Sequence, residues 1–356
     1  MTRRVLLYGA TGFTGRVIAK RLTEIGHDVV LAGRDSPRLS ALGETLGLPT
    51  RVFGLDDLAR IEHGLADIHV VLNAAGPFAQ TASVMIDACI RTRTHYLDIA
   101  GEWPIFVLAQ SRSREAAAAG VMLMPGVGFS IVASDCLLAY AAAQVNDITV
   151  LRVAISRPAV MSRGTLRSSL AMTSGTVMVR RDGNLCRLPA GKLEKSFDFG
   201  EGLRTCVAVS WPDVVTGQHT AGVASIEAYV EVGLGTRMLY QGGVMAANLF
   251  DDGVVQRWLP LMSVLWPGAP PEPKRQQAAQ IIVAEAVDRW RRSKYFRLRT
   301  ADGYAVTAVT ASTIIGRVLA ADWAPGFQTP AGLYGSDLIA GLGCGRFDNA
   351  PTAGVF

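Results

Sequence analysis

Three glycines at a spacing of three open the chemistry of this chain. They lie in Gly9-Ala10-Thr11-Gly12-Phe13-Thr14-Gly15, between the apolar run Val5 to Tyr8 and a segment with Val17, Ile18 and Leu22 on one face. A strand, a glycine turn and a helix in that order suit the pyrophosphate of a dinucleotide. Gly9 permits the tight turn, Gly12 admits the phosphates to the backbone, and Gly15 lets helix and strand pack closely. The helix N-terminus then presents amide N–H groups to the anion. Thr11, Phe13 and Thr14 belong to the same expected cradle.

Two further segments extend it. The second apolar run ends at Ala32-Gly33-Arg34-Asp35. An acid at that position would hold the ribose of NAD(H), whereas an Arg pairs with the 2′-phosphate of NADP(H). Arg34 therefore points to NADP(H). Asp35 is either a ribose ligand or, beside Ser36, a helix cap. Asn73-Ala74-Ala75-Gly76-Pro77-Phe78 follows a third apolar run and falls where the cofactor ribose would pass, with Gly76 allowing close approach.

A nicotinamide cofactor carries the hydride, so the protein must orient the substrate and handle one proton. Tyr96, Asp98 and Glu102 lie at the end of another expected strand and are the candidates for that task. Alternation places Tyr96 and Asp98 on one face. Arg163 and Thr165, at an expected helix start over 164–172, could bind an anionic part of the substrate. None of the eight tyrosines has Lys four positions on, which removes the Tyr-x-x-x-Lys machinery. The five histidines show no ligand spacing and the five cysteines no C-x-x-C pair, so no metal site is expected.

The elements that must position these groups alternate strand and helix through residue 124, the pattern of a doubly wound parallel sheet, an α/β Rossmann-type domain over 1–130. Beyond it the rhythm changes to strands with interspersed helices, an α+β second domain over 131–328. There the spacing predicts strands at Val150 to Ile155, Thr205 to Ser210 and Ser225 to Val232. It predicts a connector over 258–273, a helix over 277–292, and a hairpin of Phe296 to Arg299 with Tyr304 to Thr310. The net charge of +5 is scattered, which argues against nucleic acid. The uncharged stretch Ala116 to Ser134 is broken by Gly120, Pro125, Gly126 and Gly128, which argues against an integral membrane span. A cytoplasmic protein, one that could form a homodimer, is the expectation.

Taken together, Gly9-Ala-Thr-Gly-Phe-Thr-Gly-Arg16, Leu31-Ala-Gly-Arg34, Asn73-Ala-Ala-Gly-Pro-Phe78, Tyr96-Leu-Asp-Ile-Ala-Gly-Glu102 and Pro125-Gly-Val-Gly-Phe129 resemble the saccharopine dehydrogenase-like family, its saccharopine reductases and its mycobacterial-type trans-acting enoyl reductases. The resemblance covers residues 1–135 closely, extends to Ser162-Arg-Gly-Thr165, and is loose beyond 175. It implies a Rossmann domain with the α+β domain inserted in it. A C-terminal helix would complete it over about 329–356, with Thr329 as cap and Pro330 first. The family continues Gly-Phe-Asp-Ser-x-Pro-Ser-Asp where this chain has Gly128-Phe129-Ser130-Ile-Val-Ala133-Ser134-Asp135, so one acid is missing. Three functions follow. The first is a reductase of a conjugated C=C in an apolar, polyketide- or lipid-like small molecule, which Trp211, Trp258, Trp266 and Trp323 would suit. The second is a C=N reductase for an amino-acid or polyamine adduct. The third is a non-enzymatic NADP sensor.

Overall fold

The computed structural model describes residues 3–156, 175–233 and 279–349. Arg163, Thr165, the helix expected at 164–172 and the connector at 258–273 lie outside them. The chain divides into two units: Met1–Val132 with Gly303–Leu333, and Ala133–Asp302 with Tyr334–Phe356.

The first unit is a seven-stranded parallel sheet. Its strands are β1 (Val5–Tyr8), β2 (Val29–Gly33), β3 (Thr50–Val52), β4 (Val70–Asn73), β5 (His95–Asp98), β6 (Met122–Met124) and Gly326–Phe327 at the far edge beside β6. β1, β2, β4 and β5 are buried throughout, the mark of a parallel sheet covered on both faces. The chain winds outward from β1 through β2 to β3, then crosses back to β4 and continues to β6 on the other side. The order therefore reverses between β1 and β4, and ligands of such sheets sit at the carboxyl ends of the strands there.

Two expectations are corrected. Of the helix expected over 277–292, the described residues 279–292 show none: Gln280–Asp288 is a strand paired on both sides, with Ile148–Ile155 and with Ser293–Thr300. A central strand buried on both faces loses its alternation, so Ile281, Ala284 and Val287 imitate helical spacing. Tyr304 to Thr310 is no strand either. It begins the helix Gly303–Leu319, which packs on the helix α1 (Phe13–Glu24) and against β4. Its β-branched residues suggest a strand, but Thr307 and Thr310 return their hydroxyls to the carbonyls of Gly303 and Val306, one turn back, at 2.7 and 3.0 Å. It is this helix, with the residues up to Leu333, that rejoins the first unit. The described part of the segment expected to do so at 329–356 opens with the short helix Pro330–Tyr334, whose Gly332 amide donates to Thr329 Oγ1 at 3.2 Å, and goes on to the helix Leu338–Gly341 and the strand Gly345–Asn349. The chain from Tyr334 onward belongs to the second unit.

The second unit is a mixed sheet. At its centre Arg152 lies opposite Glu227 on one side and Glu285 on the other and donates to both, at 2.9 and 3.0 Å. Arg181 and Lys195 pair with these buried carboxylates as well, and the hydroxyls of Tyr229, Tyr295 and Ser293 donate to them. Among the described residues no helix is long and apolar enough to cross a membrane. None of their His, Cys, Asp and Glu side chains gather in threes or more to hold a metal ion.

Candidate cofactor site

The glycine loop joins β1 to α1 at the reversal point. Gly9 has φ +82°, and a Cβ there would stand 2.7 Å from the Ala75 amide nitrogen and 2.8 Å from the Ala74 carbonyl carbon. The turn thus packs directly on the backbone that follows β4, which only glycine permits. A Cβ at Gly15 would lie 2.4 Å from the Gly9 oxygen, so the helix is pressed against the loop. Gly12 differs: its Cβ would meet only the Gly9 oxygen, at 3.3 Å. Gly12 is also the N-cap of α1, which carries no side-chain cap and no acid in its first turn. Arg16 Nε donates to the Thr11 carbonyl at 3.0 Å and steadies the loop. An uncapped helix start with its positive dipole end facing the carboxyl edge is what a pyrophosphate requires.

Arg34 is exposed at the end of β2. The two readings of Asp35 resolve in favour of the cap. It is the N-cap of the helix Ser36–Leu46, accepts the Arg38 amide at 3.2 Å and pairs with the Arg38 guanidinium at 3.4 Å. Tyr8, on β1, packs against Phe53 with the rings tilted and their centroids 5.2 Å apart, and donates to its carbonyl at 3.2 Å.

On the other side of the reversal point, Asn73 is sealed under the loop it precedes. Its Oδ1 accepts the Ala75 amide at 3.1 Å, and its Nδ2 reaches Thr81 Oγ1 at 3.2 Å and the Tyr96 hydroxyl at 3.5 Å. Thr81 donates onward to the Ala75 carbonyl at 2.7 Å. Pro77 follows a cis peptide bond and caps the helix Phe78–Thr92. A Cβ on Gly76 would make only an ordinary contact, 3.7 Å from the Phe78 ring. The close packing that explains Gly9 and Gly15 is absent at Gly76.

The three proton candidates are brought together, though not at the surface. Tyr96 and Asp98 are fully buried, and the Tyr96 hydroxyl donates to Asp98 Oδ2 at 2.8 Å. Asp98 Oδ1 accepts the amides of Ala100 and Gly126 at 2.9 and 2.8 Å, tying the loop after β5 to the loop after β6. Burial pushes the Asp98 carboxyl up to about 7, against the pull of those amides and of Tyr96. Burial likewise raises the Tyr96 phenol. Glu102 is 5% exposed at the start of the helix Trp103–Ser111, its Oε2 accepting the Gly101 amide at 3.2 Å. Its negative charge adds to the rise at Asp98. Tyr96 and Asp98 thus knit the site together, and Glu102 is the least enclosed of the three.

One contributor escapes the sequence reading. The helix Gly303–Leu319 begins at this same edge. Tyr304 meets the Phe13 ring edge-on, centroids 5.1 Å apart, and Thr307 Oγ1 accepts the Phe129 amide at 3.0 Å. The burial of Val306, Ala311, Ile314 and Val318 follows a helical period that was legible in the sequence, but the Asp302-Gly303 pair favours a hairpin turn.

Comparison with known proteins agrees with this geometry. Residues 5–124 match the family model described as saccharopine dehydrogenase NADP binding domain. A trans-acting enoyl reductase of Mycobacterium leprae is 33% identical over 141 residues, 37% of this chain and 33% of that protein. One from Mycobacterium tuberculosis is 30% identical over 141 residues, with the same shares. The chain thus aligns with about a third of the length of these relatives. Apo saccharopine dehydrogenase (L-Glu forming) from Saccharomyces cerevisiae superposes with a TM-score of 0.66, covering 98% of this chain and 100% of that one at 13% identity. Residues 5–124 are thus similar to saccharopine dehydrogenase NADP-binding domains, and the chain shares the fold of saccharopine dehydrogenase.

Proposed function

We propose that the chain is an NADP(H)-dependent reductase acting on a conjugated C=C of an apolar small molecule, a reading supported by relatives named trans-acting enoyl reductase. The observation that carries the cofactor half of this reading is Asp35 committed to a helix cap beside an exposed Arg34. The residues fit the group: the first-turn amides of α1, with Gly9, Thr11, Gly12, Phe13, Thr14 and Gly15, would hold the pyrophosphate. Arg34 would hold the 2′-phosphate. Asn73, Ala74, Ala75, Gly76 and Pro77 would form the floor for the ribose of the nicotinamide half, where Gly76 leaves room for a ligand. Bound NADP(H) supplies hydride to an electron-poor carbon. Glu102 would orient the substrate or handle its proton, and the Tyr96–Asp98 pair would hold the loop that carries it. Arg163 and Thr165 remain the proposed substrate contacts.

The test is consumption of NADPH with an α,β-unsaturated thioester as probe and, separately, with an imine. Turnover of the thioester alone supports the reading; turnover of the imine alone replaces it with C=N reduction. NADPH binding without either leaves a sensor. Glu102→Gln is expected to slow thioester turnover about a hundredfold while leaving NADPH affinity unchanged, and unaltered turnover would remove Glu102 from the proposal.

A further inference from the structure

The helix Gly303–Leu319 lies on the same face as α1, on the β4 side of the reversal point. Its first turn is locked to the carboxyl edge of the sheet. A Cβ at Gly303 would stand 2.9 Å from the Phe129 ring, and one at Gly128 would stand 3.2 Å from the Thr307 side chain and 3.5 Å from Ile99. Phe129 and Ile99 follow β6 and β5, so the helix start sits over the half of the edge opposite β2 and Arg34. In a doubly wound sheet the adenosine half of the dinucleotide lies on the β2 side and the nicotinamide half crosses the reversal point to the other. Tyr304 is half-buried at this place, its ring against Phe13 at the end of the glycine loop.

We propose that Tyr304, with Phe13, forms an aromatic wall for the nicotinamide ring, which makes it a positioning residue for the reduced end of the cofactor. The inference rests on the NADP(H) reading above. Phe13 opens α1, which is pressed on its loop at Gly15, and Tyr304 sits in a first turn where Gly303 closely approaches the Phe129 ring and Thr307 accepts the Phe129 amide. A flat ring beside such a wall gains an aromatic contact and loses orientational freedom, and one face of it is covered. A cofactor fragment that lacks the nicotinamide gains neither.

That difference supplies the test, with calorimetric binding of NADPH and of adenosine 2′,5′-bisphosphate as probes. Tyr304→Ala should weaken NADPH about five- to tenfold and leave the bisphosphate within about twofold. Tyr304→Phe, which keeps the ring, should bind both as the native chain does. Equal losses for both ligands, or none for NADPH, would overturn the proposal. Arg34→Ala separates the two readings, since it should weaken both ligands whatever Tyr304 does; a native chain that binds neither ligand overturns both readings. A measurement on the native chain covers a poorly folded variant: tyrosine ring protons, labelled in a deuterated background, should show cross-relaxation to the nicotinamide protons of bound NADPH, and its absence refutes the contact.

Discussion

At the end of β2, Asp35 accepts the Arg38 amide and pairs with the Arg38 guanidinium, beside the exposed Arg34 that is proposed to hold the 2′-phosphate. A bidentate guanidinium–phosphate contact discriminates strongly between cofactors with and without the 2′-phosphate. Arg34→Ala should therefore weaken NADPH roughly ten- to hundredfold and leave NADH affinity unchanged; calorimetry with both cofactors decides it, and equal native affinities for the two would rule out the assignment. Arg34 was legible in the sequence because its place at a strand end follows from the apolar run before it. The seclusion of Tyr96 and Asp98 was not. Alternation puts the two on one face of β5, yet only the loop returning from β6, with its Gly126 amide, shows that this face is closed over.

The glycine loop acts as an element, and its glycines do different work. Gly15 is excluded from larger residues by the protein itself, since a Cβ there would strike the Gly9 oxygen and Ala10. Gly12 has room within the protein for a small displacement. Gly15→Ala is thus expected to lower thermal stability and cofactor binding together. Gly12→Val should leave the fold standing and abolish NADPH binding, because the added methyls fill the phosphate approach. Thermal melts with and without NADPH separate the two outcomes; a Gly12→Val chain that still gained stability from NADPH would put the pyrophosphate elsewhere. The helix Gly303–Leu319 and the strand Gln280–Asp288 show where element reading falters. Each is rich in β-branched and apolar residues, and the partners on either side decide which periodicity is used.

Over the whole molecule, buried ionisable groups make stability depend on pH in opposing directions. The Asp98 and Asp213 carboxyls, both pushed up to about 7 by burial, keep their protons in the fold when an unfolded chain has lost them. Their contribution is present on the acid side and is lost as pH rises from about 4 to about 7. His95, whose imidazole burial pushes down to about 4, stays neutral in the fold, so its cost appears as pH falls from about 6.5 to about 4. Asp98→Asn removes one carboxyl from this balance. Relative to the native chain, the melting temperature of the variant should climb between about pH 4 and about pH 7. A difference that stays constant over that range would mean that Asp98 does not titrate in the fold.

By itself the sequence determined the parallel sheet, the glycine loop and the strand-end position of Arg34. Those features depend on periodicity and on glycine between neighbouring elements, and both are local. The tertiary structure alone decided which polar groups are enclosed and which remote helix reaches the cofactor edge. Tyr304 lies almost three hundred positions from Phe13, and burial of Asp98 requires amides from two loops at once. Such meetings follow from how the chain returns upon itself, and no window of residues along it carries that information.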